Sequence, residues 1–160
     1  MKIVLITGGF DPIHSGHISY IKRAKLLASQ TDNSGHLIVG INSDHWLCNK
    51  KGAAFMPWTE RQTIISALRD VDEVISFNDE DGSAKDAIIQ VLNKYPTHNI
   101  VFANGGDRTK ENIPEMDLAP EYLNRVEFIF EVGGRDKQNS SSRILGNWNK
   151  YIMNDKNHNI

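Results

Sequence analysis

Thr7 to His17 reads TGGFDPIHSGH, with two glycines, an aspartate, a proline and two histidines crowded behind the apolar run Ile3-Val4-Leu5-Ile6. Gly8-Gly9 lets the backbone turn tightly, approach a ligand closely and offer its N–H groups as donors. His14 and His17 stand three residues apart at the mouth of a helix, where unpaired N–H groups and partial positive charge favour phosphate. Two imidazoles placed there can donate hydrogen bonds to phosphate oxygens as negative charge builds up. The chemistry that this spacing points to is the handling of a reacting anion. Blander readings of the same residues are a helix cap by Ser15, a surface histidine pair, or a zinc site. Zinc is disfavoured, because the chain has a single cysteine, Cys48, and no carboxylate–histidine set near the pair. Two common nucleotide motifs are excluded. Gly8, Gly9 and Gly16 do not fit G-x-G-x-x-G, and no Gly-Lys-Ser/Thr follows.

These residues need a frame to hold them. Ile3–Ile6 has the continuous apolar character of a strand buried on both faces. Ile18–Ala28 follows helical spacing through Ile18, Ile21, Ala24, Leu27 and Ala28. Strands are expected at His36–Asn42, Val71–Phe77, Asn99–Ala103 and Val126–Phe130. Helices are expected at Pro57–Leu68, at Ala84–Leu92 and from about Ser140, with a frayed tail over 154–160. Strand and helix alternate, so the expected architecture is α/β: a five-stranded parallel sheet with helices on both faces, in one domain over 1–153. Such sheets gather ligands beyond the carboxyl ends of their strands, which directs attention to the loops after strands one, two, four and five.

The 160 residues, with 39% hydrophobic and 24% charged side chains, describe an ordinary soluble domain large enough to bury a core. A formal net charge of −2 gives no sign of a general nucleic-acid binder. One cysteine allows no internal disulfide and suits a reducing compartment. The apolar run at the start is too short for a signal h-region, and no stretch approaches the ~20 apolar residues of a membrane span. A cytoplasmic protein is expected.

GGFDPIHSGH resembles the signature of the nucleotidyltransferase superfamily, the cytidylyltransferase-like enzymes with a paired-histidine motif. Their fold is a Rossmann-like doubly wound sheet. They move a nucleoside monophosphate from a nucleoside triphosphate to a phosphorylated acceptor and release pyrophosphate. The family's second signature, a Ser/Thr cluster opening the last helix, is matched by RDKQNSSSRI, with Arg135 ahead of Ser140, Ser141 and Ser142. Hydroxyls and N–H groups at a helix start can cradle phosphates, and an arginine adds a bidentate contact; a plain serine N-cap is the alternative. The family carries a mobile basic segment and a following arginine where Lys50, Lys51 and Arg61 stand, and an acceptor-side position at Asp44. Asn104 to Arg108 (NGGDR) matches the loop where the family's base and substrate are approached, although Asp107 and Arg108 could equally form an exposed turn with a local ion pair.

The resemblance implies a division of labour. His14, His17, Lys51 and Arg135 would act on the reacting phosphates, with Lys50 able to replace Lys51 in steadying shared charge. Thr7, Gly8, Gly9, Phe10, Gly16, Lys50, Asn104, Gly105, Asp107 and Ser140–Ser142 would hold the nucleotide, and Asp11, Asp44 and Arg61 the acceptor. Mg²⁺ is expected with the triphosphate, and a homodimer is expected. CTP and ATP both stay open. The acceptor is expected to be a sugar or polyol phosphate, because KKGAAFMPWTERQ and NGGD look like the heptose-phosphate adenylyltransferase branch while RDKQNSSS has the spacing of glycerol-3-phosphate cytidylyltransferase. Thr7-Gly8-Gly9 with Pro12 is also seen in pantetheine-phosphate adenylyltransferase-like proteins. Residues 107–125 form a long insertion that could shape an acceptor pocket, make an oligomer contact or merely connect elements. Two other classes are a nucleotide-binding sensor without turnover and a flavodoxin-like or dehydrogenase-type module; the intact histidines argue against the first and the missing glycine fingerprint against the second.

Overall fold

The structure, a computed structural model, describes residues 1–30, 34–106, 108–133 and 140–158. Five strands form one parallel sheet: β1 (Ile3–Gly8), β2 (His36–Ile41), β3 (Glu73–Ser76), β4 (Ile100–Ala103) and β5 (Val126–Ile129). Their order is β3-β2-β1-β4-β5, with Ile3 paired to His36 on one side and Ile100 on the other. Chain order reverses between β1 and β4, the switch point where doubly wound sheets open a ligand crevice. The Rossmann-like α/β reading therefore holds.

Alternation along β1 separates two cores. Val4 and Ile6 face α1 (Ser15–Ala28) and α3 (Trp58–Ser66), where Ile21, Ala24, Ala28 and Ile65 are buried. Ile3 and Leu5 face α4 (Lys85–Lys94), whose Ala87, Ile88, Val91 and Leu92 fill the other side. The insertion joins this second face through Leu118, behind a 3-10 turn at Pro114–Asp117 and a short helix, α5 (Pro120–Leu123).

Three expectations change. A helix absent from the sequence reading, α2 (Asp44–Lys51), replaces the expected basic loop. Ser43 Oγ accepts from Trp46 N at 3.1 Å, and Gly52 closes it with φ +92, a left-handed conformation suited to glycine. Its only buried side chain is Leu47, so no apolar stripe advertises it. The first helix begins at Ser15 rather than Ile18. The last, α6 (Ser141–His158), continues through most of the tail expected to fray. Among the described residues no helix is long and apolar enough to cross a membrane.

Candidate functional site

Beyond the carboxyl ends of the strands lies a cavity of about 800 Å³. The turn after β1 forms its floor. Phe10 takes a left-handed φ of +51, uncommon for a bulky residue, and its ring lies under Gly8 and edge-on to His17 at 5.0 Å. A Cβ on Gly9 would stand 2.9 Å from Leu47 of α2, so glycine permits this approach.

The histidines make the start of α1 themselves. His14, not Ser15, is the N-cap: its Nδ1 accepts from Gly16 N at 3.0 Å, while His17 Nδ1 accepts from His14 N at 3.2 Å. This is a capping box built from imidazoles, with the rings stacked at 3.8 Å. Burial lowers the pKa of His14, and burial first, then the charges of His14 and Lys50, push that of His17 down to about 3. Both rings are therefore neutral near pH 7. With each Nδ1 accepting, these bonds assign the remaining proton to Nε2 in both rings, making two uncharged donors.

The other signature meets them here. Ser140 Oγ accepts from Arg143 N at 3.1 Å and so caps α6, and Ser141 Oγ donates to Pro12 O at 2.8 Å across 129 positions of sequence. Ser140, Ser141 and Ser142 line the same cavity as His14, His17 and Gly16. The serine N-cap thus exists at Ser140, and Ser141 ties the second signature to the first. After β4, Asn104, Gly105 and Gly106 add a further wall, with Asn104 N donating to Ile129 O and Asn104 O accepting from Val132 N. Tyr20, also lining the cavity, donates to Ala103 O, and burial raises its pKa. Thr7 and the exposed Arg108 reach the cavity as well.

Four residues expected to work on ligands are engaged with the protein. Lys51 Nζ lies 2.8 Å from Asp11 Oδ2 and also donates to Asp11 O, whereas Lys50 lines the cavity with its ammonium 4.7 Å from the Trp46 ring centre. Asp11, 2% exposed, accepts from Phe55 N and Met56 N at 2.7 and 2.6 Å and fixes the segment after α2. Arg61, 1% exposed, donates to Met56 O, Gly9 O, Asn42 O and Asp44 Oδ1 at 2.6–2.9 Å. Asp44 is thus drawn onto Arg61. The geometry makes Asp11, Asp44, Arg61 and Lys51 a brace under the site. Asp107 and Arg135 lie outside the described residues.

The loop after β3, omitted from the expected ligand loops, also enters the cavity through Gly82, Ser83 and Ala84. Asp79 holds it there by accepting from Asn42 Nδ2, Ser43 N and Ser43 Oγ at 2.7–3.0 Å. Glu115 of the insertion closes that side. No motif flags Glu115, and the carboxyl-end rule could have reached the β3 loop had it been applied to every strand.

A switch-point crevice with helix starts from both ends of the chain and paired neutral histidines defines the class: an α/β nucleotidyltransferase. The cytidylyltransferase-like family profile matches residues 5–147, and the chain belongs to that family. It is similar to the bifunctional protein HldE of Syntrophotalea carbinolica, with 35% identity over 147 residues covering 90% of this chain and 27% of that protein. The HldE protein of Geobacter metallireducens is 34% identical over 146 residues with the same coverage. The chain therefore spans about a quarter of the length of these curated relatives. A solved structure, the lipopolysaccharide core biosynthesis protein of Thermoplasma volcanium GSS1, shares the fold with a TM-score of 0.61, at 24% identity, covering 85% of this chain and 99% of that one.

Proposed function

We propose that the chain transfers a nucleoside monophosphate from CTP or ATP to a sugar or polyol phosphate, with release of pyrophosphate. The observation that carries this reading is the meeting of two neutral imidazole Nε2–H donors with the serine-capped start of α6 at one cavity. An oxygen of the acceptor phosphate, largely dianionic near neutrality with a second pKa of ~6, attacks the α-phosphorus, so no protein nucleophile is needed. The new P–O bond forms as the bond from the α-phosphorus to the bridging oxygen breaks, and pyrophosphate leaves with that electron pair. The protein's part is to position both reactants and to donate toward charge that builds in the transition state. His14 and His17 serve the α-phosphate and bridging oxygen, Lys50 the shared negative charge, and the starts of α1 and α6 the remaining phosphates.

Among the described residues no group of three His, Cys, Asp or Glu side chains is placed to hold a metal ion. Mg²⁺ would accompany the triphosphate and neutralise phosphate charge. Pyrophosphate release measured for four nucleoside triphosphates against a panel of sugar and polyol phosphates tests the reading. One pair should react, and His17→Ala should lower its kcat by at least about 100-fold, a loss of transition-state charge stabilisation. Loss of part of the helix cap should lower stability by only about 1 kcal/mol. Release by no pair, or unchanged release by His17→Ala, would sink the assignment.

A further inference from the structure

The cavity is lined by two buried polar residues that the transfer chemistry leaves unexplained. Glu115 sits on the 3-10 turn Pro114–Asp117, fixed from both sides by buried Ile113 and Leu118, and is itself only 1% exposed. Its Oε1 accepts from Ala84 N at 2.8 Å, which joins the insertion to the start of α4. Its Oε2 is buried with no partner among the described residues. Asn104, 3% exposed and lining the same cavity from the end of β4, has its Nδ2 buried and equally without a partner among them. A buried polar atom left unpaired costs about 1–3 kcal/mol. Two such atoms on residues that line one cavity are a specific observation rather than a background feature.

One atom needs a donor and the other an acceptor. A hydroxyl supplies both functions, whereas an ammonium could serve only Glu115 and a phosphate oxygen only Asn104. The sheet decides which reactant brings that hydroxyl. α1, whose start is assigned to the triphosphate, fills the α1 core, and Ser141 at the start of α6 bonds to Pro12 just ahead of it, while Glu115 lies three residues before Leu118 of the α4 core. The α4 side is thus left to the second reactant. We infer that Glu115 and Asn104 read a hydroxyl of the phosphorylated acceptor, which makes Glu115 a specificity-determining residue for a polyol or sugar phosphate. This inference rests on the transfer reaction proposed above.

Glu115→Gln tests it, because the amide keeps an oxygen for Ala84 N while replacing the oxygen that needs a donor. With the productive nucleotide, the variant should show an acceptor KM raised at least about ten-fold, the scale of one lost buried hydrogen bond, with kcat and nucleotide KM within about two-fold. Wild-type protein should reject the matching monodeoxy acceptor by a similar factor, and Glu115→Gln should reject it no further. An unmoved acceptor KM with a lowered melting temperature would assign Glu115 a structural role only and overturn the inference. Discrimination against 2′- or 3′-deoxynucleotides that disappears in the variant would place the hydroxyl on the nucleotide and overturn it as well. If wild type releases pyrophosphate with no pair, the transfer reading fails. Calorimetric titration with glycerol 3-phosphate and hexose phosphates then decides separately. Binding weakened at least about ten-fold in Glu115→Gln supports the inference, while equal binding or none overturns it.

Discussion

The two histidines do local structural work with one ring nitrogen each, and under the proposed reaction the other nitrogen does the chemical work. Nδ1 of each caps α1, and Nε2 of each keeps the proton. The spacing of His14 and His17 singled out this loop as a candidate anion site, while a cap was weighed only for Ser15 and as an alternative, because serine is a usual N-cap and imidazole is not. Burial of the neutral rings has a thermodynamic consequence. In the unfolded chain a histidine titrates near ~6.5, whereas folded His17 titrates at about 3 and His14 below its ordinary value. Between these values the unfolded state binds more protons, so stability rises with pH: the contribution is complete above the unfolded pKa and is lost as pH falls toward the folded one. Thermal melts between pH 7 and 5.5 should show wild type losing stability as pH falls, and His17→Gln losing less. In that window Asp72 and Glu73, whose pKa values are lowered by hydrogen bonds that outweigh desolvation, remain charged in the folded state. Identical slopes for the two proteins would remove the buried-imidazole account.

Elements, rather than motifs, decide where the charged residues of the middle segment go. The family resemblance assigned Lys51, Asp11, Asp44 and Arg61 to ligands, and charge by itself usually faces solvent. Instead α2 presents Lys51 to Asp11, and α3 sends Arg61 beneath the loops after β1 and β2. No periodicity could reveal this, since the acceptors are carbonyls of Gly9, Asn42 and Met56, set by tertiary folding alone. The guanidinium's planar fork suits four acceptors at fixed angles, which an ammonium could not match. Arg61→Ala should lower stability by about 3 kcal/mol or more, and the melting temperature by about 6–12 °C, because it leaves buried carbonyls and one side of an ion pair unmatched. Arg61→Lys should recover little. Were Arg61 a ligand contact instead, the melting temperature would hold while the acceptor KM rose.

At the scale of the whole molecule, the sheet brings the loop after β1 and the start of α6 to one cavity at its carboxyl edge. The central strands β1, β2 and β4 were readable as apolar runs, and the order of strands and helices implied the doubly wound sheet without any contact information. The insertion was read as able to shape a pocket, to make an oligomer contact or merely to connect elements, but Glu115 was not singled out, because its place is set by Ala84, 31 positions away. The last helix was readable at its start and not at its end. None of residues 141–157 is buried, and Trp148, Tyr151 and Met153 are 56%, 59% and 63% exposed. Few apolar contacts hold α6, so it belongs to the low-stability part of the fold, open to local unfolding at small cost. The contact of Ser141 with Pro12 joins its start to the histidine loop, and a triphosphate lying across both helix starts would add the missing bond between them. Ligand binding to the folded state alone stabilises whatever it bridges, by about 2.7 kcal/mol at 100 times Kd. Hydrogen exchange should therefore slow at the first turns of α6 as well as α1 when CTP or ATP is added, with the larger effect from the true substrate. Slowing confined to α1 would show that the second signature does not share the triphosphate, and that the two ends of the chain meet only through Ser141.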